Sequence, residues 1–336
     1  MKIGEVRERI GSMKEEELRR LICEIYKAIP KNVKEEKNID SFFDLQSNEK
    51  EKLPKETKVS NKPQVDMDVL EKEIDEFVSD AYNQLYLAPN RKIPKKERPK
   101  WRFKVKGYVK ALSQVPPDTL DGRIAAGLLA DLYKMTSYAC SYYLFNTEDA
   151  FASIMISQPE FYHLVVQQYL GGGRGEEEFE ILVRLLAPEG LSRENVAKDM
   201  YGGLLCETKP SEYELLLQVA RKVQEEKLKK IPQKKSYSVS YYAHESAADN
   251  ITGFITRLYL KMGEPDKAAD NLFKYDCEDK SEIKLYKLLI YYISAENSPD
   301  EWMRQYEKAV KKGIKPREYL QDIYEKLKNG EKPYDY

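Results

Sequence analysis

The chain has 336 residues, a length that at ~100–200 residues per domain implies two domains or three small ones. Its 56 Lys and Arg against 57 Asp and Glu leave a net charge of −1, which excludes a globally basic nucleic-acid binder but permits local charge separation. Hydrophobic content of 41% beside 34% charged residues suits many exposed amphipathic helices around thin cores.

Several chemistries are missing from the local pattern. Cys23, Cys140, Cys206 and Cys277 lie far apart with no C-x-x-C, so no zinc knuckle or redox pair is encoded in one segment, and they read as buried, reduced thiols. His163 and His244, the two histidines, show no metal-ligand spacing, which excludes histidine-rich metal sites. The first twenty residues are charged throughout, and no run approaches the ~18 apolar residues of a membrane span. The expectation is a cytoplasmic protein with no membrane contact and no cofactor.

The first elements are helices. Residues 14–29 place Leu18, Leu21, Ile22, Ile25 and Ile29 on one stripe, with Ser12 as the N-cap, Glu15 to Glu17 in the first turn and Pro30 as the stop; residues 3–10 form a short partner helix. Residues 46–65 carry Lys, Glu, Ser, Asn and Pro with almost nothing to bury, so 1–45 is an N-terminal helical module and 46–66 a flexible linker. The helical spacing resumes over 67–87 through Met67, Leu70, Ile74, Phe77, Val78, Ala81 and Leu85.

Between Arg91 and Lys110 stand ten Lys and Arg against the single Glu97. Arg91, Lys92, Lys95, Lys96, Arg98, Lys100, Arg102, Lys104 and Lys106 are interleaved with Trp101, Phe103 and Tyr108, the mixture of phosphate neutralisation and base stacking used on single-stranded nucleic acid. The same residues permit a plainer reading. Trp101, Val105, Tyr108, Val109 and Leu112 are spaced as one helix face, so the aromatics can be core and the lysines a solvated outer side. Phe103 points away from that face and is the residue that most favours binding.

Two long helices follow over 119–145 and 148–170, closed by the GGGRG run at 171–175. That run lacks the G-K-[ST] of a phosphate loop and precedes Glu176, Glu177 and Glu178, so it reads as a flexible turn between helices. Three more helices are expected over 176–186, 192–205 and 211–230, with Ser192 and Ser211 as caps, completing a central bundle over 67–232. Residues 233–242 alternate at Tyr237, Val239 and Tyr241 like a short strand, but a lone strand has no partner, and the segment reads as a second linker.

From 243 to 336 the chain reads as helical hairpins, four helices over 251–327 broken at 263–265, 298–299 and 313–316. Tyr259, Gly263, Ala268 and Leu272 resemble a tetratricopeptide repeat, with Ile255, Tyr275 and Lys280 departing from its pattern. A second resemblance spans residues 1–170: the opening S-x-K-E-E-E-L helix, the polar linker, the basic WRFKVKGYVKAL and the tyrosine-rich SYACSYYLFNTEDAF are similar to an uncharacterised bacterial helical family, a domain of unknown function. That likeness implies an all-helical bacterial protein and carries over no activity or site residue.

The remaining candidates are weak. His244 with Glu245 and Asp249 is a poorly aligned acid–base set, and His163, in EFYHLVVQQYL, reads as a core or boundary histidine. The 25 tyrosines include the doublets at 142–143, 241–242 and 291–292, and because adjacent helical positions point ~100° apart some of these rings must reach the surface. The expectation is an all-α protein, a helical bundle plus stacked antiparallel hairpins, that binds a peptide or partner helix in a groove within 251–328 rather than performing chemistry. A nucleic-acid-associated protein using 91–110 is the second reading, and a helical enzyme with no local motif the third.

Overall fold

The computed structural model describes residues 26, 27, 29, 66–87 and 89–334. The helices expected over 3–10 and 14–29, the rest of the N-terminal module and the linker up to residue 65 lie outside the described residues, apart from Tyr26, Lys27 and Ile29. The chain from Val65 onward forms one compact unit. It is all-α, with thirteen α-helices and no strand among the described residues.

The first core begins with α1 (Met67–Tyr82), which starts where the Asp66 carboxylate accepts from the Val69 amide at 3.3 Å and buries Met67, Ile74, Phe77 and Ala81. A 3-10 turn at Arg98–Lys100 leads into α2 (Trp101–Leu112), and Thr119 caps α3 (Leu120–Tyr138) by accepting from Gly122 N at 2.9 Å. Both α1 and α2 lie against α3. The helix expected to run to residue 145 therefore stops at Tyr138. Leu144 and Phe145 instead fold back into the core, where Phe145 stacks on Trp101 with centroids 3.9 Å apart. Burying that pair outweighs one more turn of helix.

The span expected as one helix over 148–170 is two, α4 (Ala150–Ile154) and α5 (Gln158–Gly172). Between them Met155 sits at φ 56°, and Ser157 with Glu160 forms a reciprocal capping box that restarts the helix. Next come α6 (Glu176–Leu185), α7 (Ala197–Glu207) and α8 (Tyr213–Lys229), the last entered through a 3-10 turn at Pro210–Glu212. Neither Ser192 nor Ser211 caps a helix. Ser192 is buried and spends its hydroxyl on Asp149 at 2.7 Å, and Ser211 lies inside the 3-10 turn.

The segment expected as a linker over 233–242 carries an exposed Tyr237 and then Ser238, whose hydroxyl accepts from Tyr241 N and opens the long α9 (Val239–Lys261). This helix packs on α7 and α8, so the first hydrophobic core runs from Met67 to Ala268 across that segment. Gly263, at φ 76°, turns the chain into α10 (Pro265–Tyr275), which lies along α9 as a hairpin. Ala268 on α10 belongs to the first core and Ala269 to a second, smaller one, so α10 is the wall they share.

That second core is built from α11 (Ser281–Lys287), a π-helical turn (Leu288–Tyr292), α12 (Pro299–Lys311) and α13 (Glu318–Lys328). Five helices thus stand where four were expected, because residues 276–280 break the chain once more. Trp302, fully buried, donates Nε1–H to Leu289 O at 2.8 Å, and Arg257 donates to Tyr292 O at 3.2 Å, so the wide turn does not leave these carbonyls orphaned.

Candidate functional site

The basic segment divides into a core side and an outer side. Trp101, Val105, Tyr108, Val109 and Leu112 are buried, and Tyr108 donates to Glu73 at 2.9 Å. Three of the cations are spent locally: Lys92 bridges Asp80 and Glu76, Lys100 pairs with Glu97, and Arg98 donates to Ile93 O. Arg91, Lys95, Lys96, Arg102, Lys104 and Lys106 form no ion pair with a described residue, and all are exposed. Phe103 is 65% exposed, with the Arg102 guanidinium 5.0 Å from its ring. Of the aromatics only Phe103 is available to a ligand.

The GGGRG run borders a cleft of about 550 Å³ between the start of α3 and the ends of α5 and α6. Its glycines serve close packing rather than flexibility. A Cβ on Gly171 would stand 2.5 Å from Pro117 Cγ, and one on Gly172 2.5 Å from Pro117 O. Arg174 grips Glu212 with two nitrogens, at 2.6 and 2.8 Å, and donates to Glu207 O and Leu170 O, tying α5 to the α7–α8 turn. The first amide at α6, that of Gly175, already donates to the Glu178 carboxylate at 2.9 Å. An anion arriving there meets an occupied donor and a negative charge.

A polar network inside the first core is structural. Gln158, fully buried, donates to Gly190 O at 3.1 Å, Ser137 Oγ and Tyr133 OH, and accepts from Ser192 N at 2.9 Å. Asp149 accepts from Ser192 Oγ, Arg193 N and Ala152 N. Burial pushes its carboxyl up, and these hydrogen bonds outweigh that and hold it below its ordinary value. The network fastens the 186–196 loop to the bundle.

His244 has no carboxylate partner among the described residues. Asp249 turns instead to the Cys277 amide at 2.7 Å and toward Lys287, which itself pairs with Asp276 at 2.8 Å. Burial, then the neighbouring Asp276, raises the Asp249 carboxyl, and burial with Asp249 pushes the Cys277 thiol up strongly. The cluster holds residues 276–280 against α9.

Between α9 and α10 the hairpin carries a shallow groove of about 180 Å³ lined by Arg221, Tyr259, Lys267, Asn271, Lys274 and Tyr275, with Asp270 also on its wall. Asn271 at its base is 4% exposed. Its amide donates to Thr252 O at 3.0 Å and Thr256 Oγ1 at 3.1 Å, while Oδ1 has no partner. Arg221 donates to the Tyr259 hydroxyl and lies over its ring, and Lys274 lies 4.8 Å from the Tyr275 ring centroid.

The fold also joins residues that are distant in the chain. His163 on α5 meets Gly203, Cys206 and Glu207 on α7. Cys206 is exposed, and Cys140 and Cys277 are half-buried, so none of these three thiols is the fully buried group that the sequence reading expected. Burial, then the adjacent Glu207, raises the Cys206 thiol. No local spacing announces this cluster, since His163 stands 43 residues before Cys206 and meets it only where α5 crosses α7.

The chain matches no known protein-family model, and comparison with characterised proteins and with solved structures finds no match. No helix among the described residues is long and apolar enough to cross a membrane.

Proposed function

We propose that this chain is an interaction protein that holds an extended, acidic peptide segment of a partner in the groove between α9 and α10. The observation that carries this reading is the lining of the groove, which sets three cations and two tyrosine rings against one carboxylate. Arg221, Lys274 and Lys267, the last of which also pairs with Glu264 at 2.9 Å, supply positive charge against Asp270, and Tyr259 and Tyr275 supply ring surface with polar tips. The tetratricopeptide-like spacing at 259–272 falls on this hairpin and belongs to the same proposal. So does a place inside the cell, where the cysteines stay reduced.

The test is selection of peptides from a random display library on the purified chain. Enrichment of acidic sequences whose binding is lost in Lys267→Glu/Lys274→Glu supports the reading. Peptides that bind the double variant as well as the parent overturn it.

A second reading rests on a different surface. The six unpaired cations from Arg91 to Lys106 and the exposed Phe103 favour a polyanion such as single-stranded nucleic acid. Salt-dependent retention on an oligonucleotide, lost when Lys95, Lys96 and Arg102 are neutralised, is its signature. Retention unchanged by those substitutions removes it.

A further inference from the structure

We propose that His163, Cys206 and Glu207 form a binding site for a divalent transition-metal ion of the zinc class. Ligand-capable atoms of the three side chains lie within 4.8 Å of one another. The proposal rests on how the imidazole is held. His163 Nδ1 lies 3.3 Å from Gly203 O, and a carbonyl oxygen can only accept, so Nδ1 carries the hydrogen. In the neutral ring Nε2 then presents a lone pair, and it faces Glu207 Oε1 at 3.4 Å.

Two lone pairs at that distance repel unless something positive lies between them. A bound cation bridging the two atoms removes that repulsion. The 3.4 Å separation matches the edge of a tetrahedron around zinc. With Zn–N and Zn–O bonds of about 2.0–2.2 Å, two ligand atoms stand about 3.4 Å apart.

The surroundings complete a metal site in kind. Backbone capture of Nδ1–H fixes the tautomer and orients the ring, as the outer partners of metal-bound histidines do. Gln167, one turn along α5 from His163, donates to Glu207 Oε1 at 3.2 Å and steadies the carboxylate. Arg174 holds the α7 terminus by donating to Glu207 O. The Cys206 sulfur lies 4.0 Å from His163 Nδ1 and its thiol donates to Gly203 O at 3.4 Å, so ligation requires it to leave that bond and turn toward the Nε2 side.

One nitrogen, one sulfur and one carboxylate oxygen are a borderline-soft set that suits zinc, and not magnesium or calcium. Binding exchanges the thiol hydrogen for the metal: a Zn–S bond forms, the S–H bond breaks, and the proton passes to solvent. Three protein ligands leave a fourth position facing water, because His163 and Glu207 are only about two-thirds covered.

The experiment is titration of the full-length, reduced chain with zinc and, separately, with cobalt(II). One equivalent of zinc is expected to bind, with affinity falling at least about a hundredfold in His163→Ala and in Cys206→Ser, and about tenfold in Gln167→Leu. Cobalt is expected to show a thiolate charge-transfer band that Cys206→Ser removes. A variant with Cys23, Cys140 and Cys277 changed to Ser should retain both signals. The proposal is overturned by absence of stoichiometric binding, by a cobalt spectrum without the sulfur band, or by binding that survives Cys206→Ser but disappears from the triple variant. Cys206 is exposed, so its replacement leaves the fold intact and a lost signal reports on the site.

Discussion

Replacing Gln158 with Leu tests how the 186–196 loop is held. The change nearly preserves volume and leaves the apolar walls in place, but it removes the acceptor for Ser192 N and the donor to Gly190 O. Tyr133 keeps Met200 Sδ at 2.8 Å, and the Ser137 hydroxyl can rotate, so the orphans are two buried backbone groups. At about 1–3 kcal/mol each they cost about 2–6 kcal/mol, and greater apolar burial by Leu offsets roughly 1–2 kcal/mol. The expected net loss is about 1–4 kcal/mol, read as a lower urea midpoint at unchanged slope. Hydrogen exchange gives the local readout: the Ser192 amide should lose protection before the rest of the first core. Because Ser192 also donates to Asp149, Gln158→Leu and Asp149→Asn should combine less than additively. A loss below ~1 kcal/mol, or an equally protected Ser192 amide, would refute this account of the network.

Three further outcomes follow from the same geometry. The Arg174 guanidinium holds the Glu212 carboxyl at about 2 despite partial burial. A carboxyl depressed in the folded state stabilises fully above its unfolded value of about 4.3, and that contribution drains away as pH falls through about 2. Glu212→Gln should therefore flatten the acid limb of stability across this window, and an unchanged limb would count against the ion pair. Gly107, mid-helix on α2 with nothing within 4 Å of a Cβ, should accept Ala with a gain of about 0.5–1 kcal/mol. A Cβ on Gly122 would stand 2.2 Å from Pro116 O, so Gly122→Ala should cost about 3 kcal/mol; thermal melting of the pair tests both signs. Trp302→Phe removes the donor to Leu289 O and should cost about 2–3 kcal/mol. Trp101 is then the single tryptophan, and since α10 walls both cores its emission should report the lowered midpoint; a Trp101 transition left where it was would show that the cores unfold separately.

Local pattern was enough for most helices and for the all-α class. The stripes over 67–87 and 101–112 are amphipathic at the helical period, and Ile74, Phe77, Val105 and Tyr108 are buried as they require, although the first helix ends at Tyr82 and Leu70, Val78 and Leu85 are only half-buried. One tyrosine doublet behaves as a 100° step requires, with Tyr241 buried and Tyr242 exposed, whereas Tyr142 and Tyr143 lie beyond the end of their helix and are both exposed. Caps and breaks were less legible, because they depend on partners elsewhere. Ser192 has the look of an N-cap, yet a buried carboxylate 43 positions away takes its hydroxyl. Residues 139–145 have helical composition, yet stacking of Phe145 on Trp101 pulls them out of the helix.

The sites divide in the same way. Charge and periodicity along one helix separate the core face of the basic segment from its solvent face, and which cations are neutralised depends on Glu76 and Asp80 of a neighbouring helix. The glycine run shows its reason only when Pro117 is seen packed against it. The Asn271 acceptor and the meeting of His163, Cys206 and Glu207 have no local signature, since each arises where side chains or backbones of two helices converge. The sequence by itself determined which segments are helical and which face of each is apolar, because those follow from short-range spacing. Only the tertiary structure decided which polar groups face one another across helices, because that depends on how the helices cross.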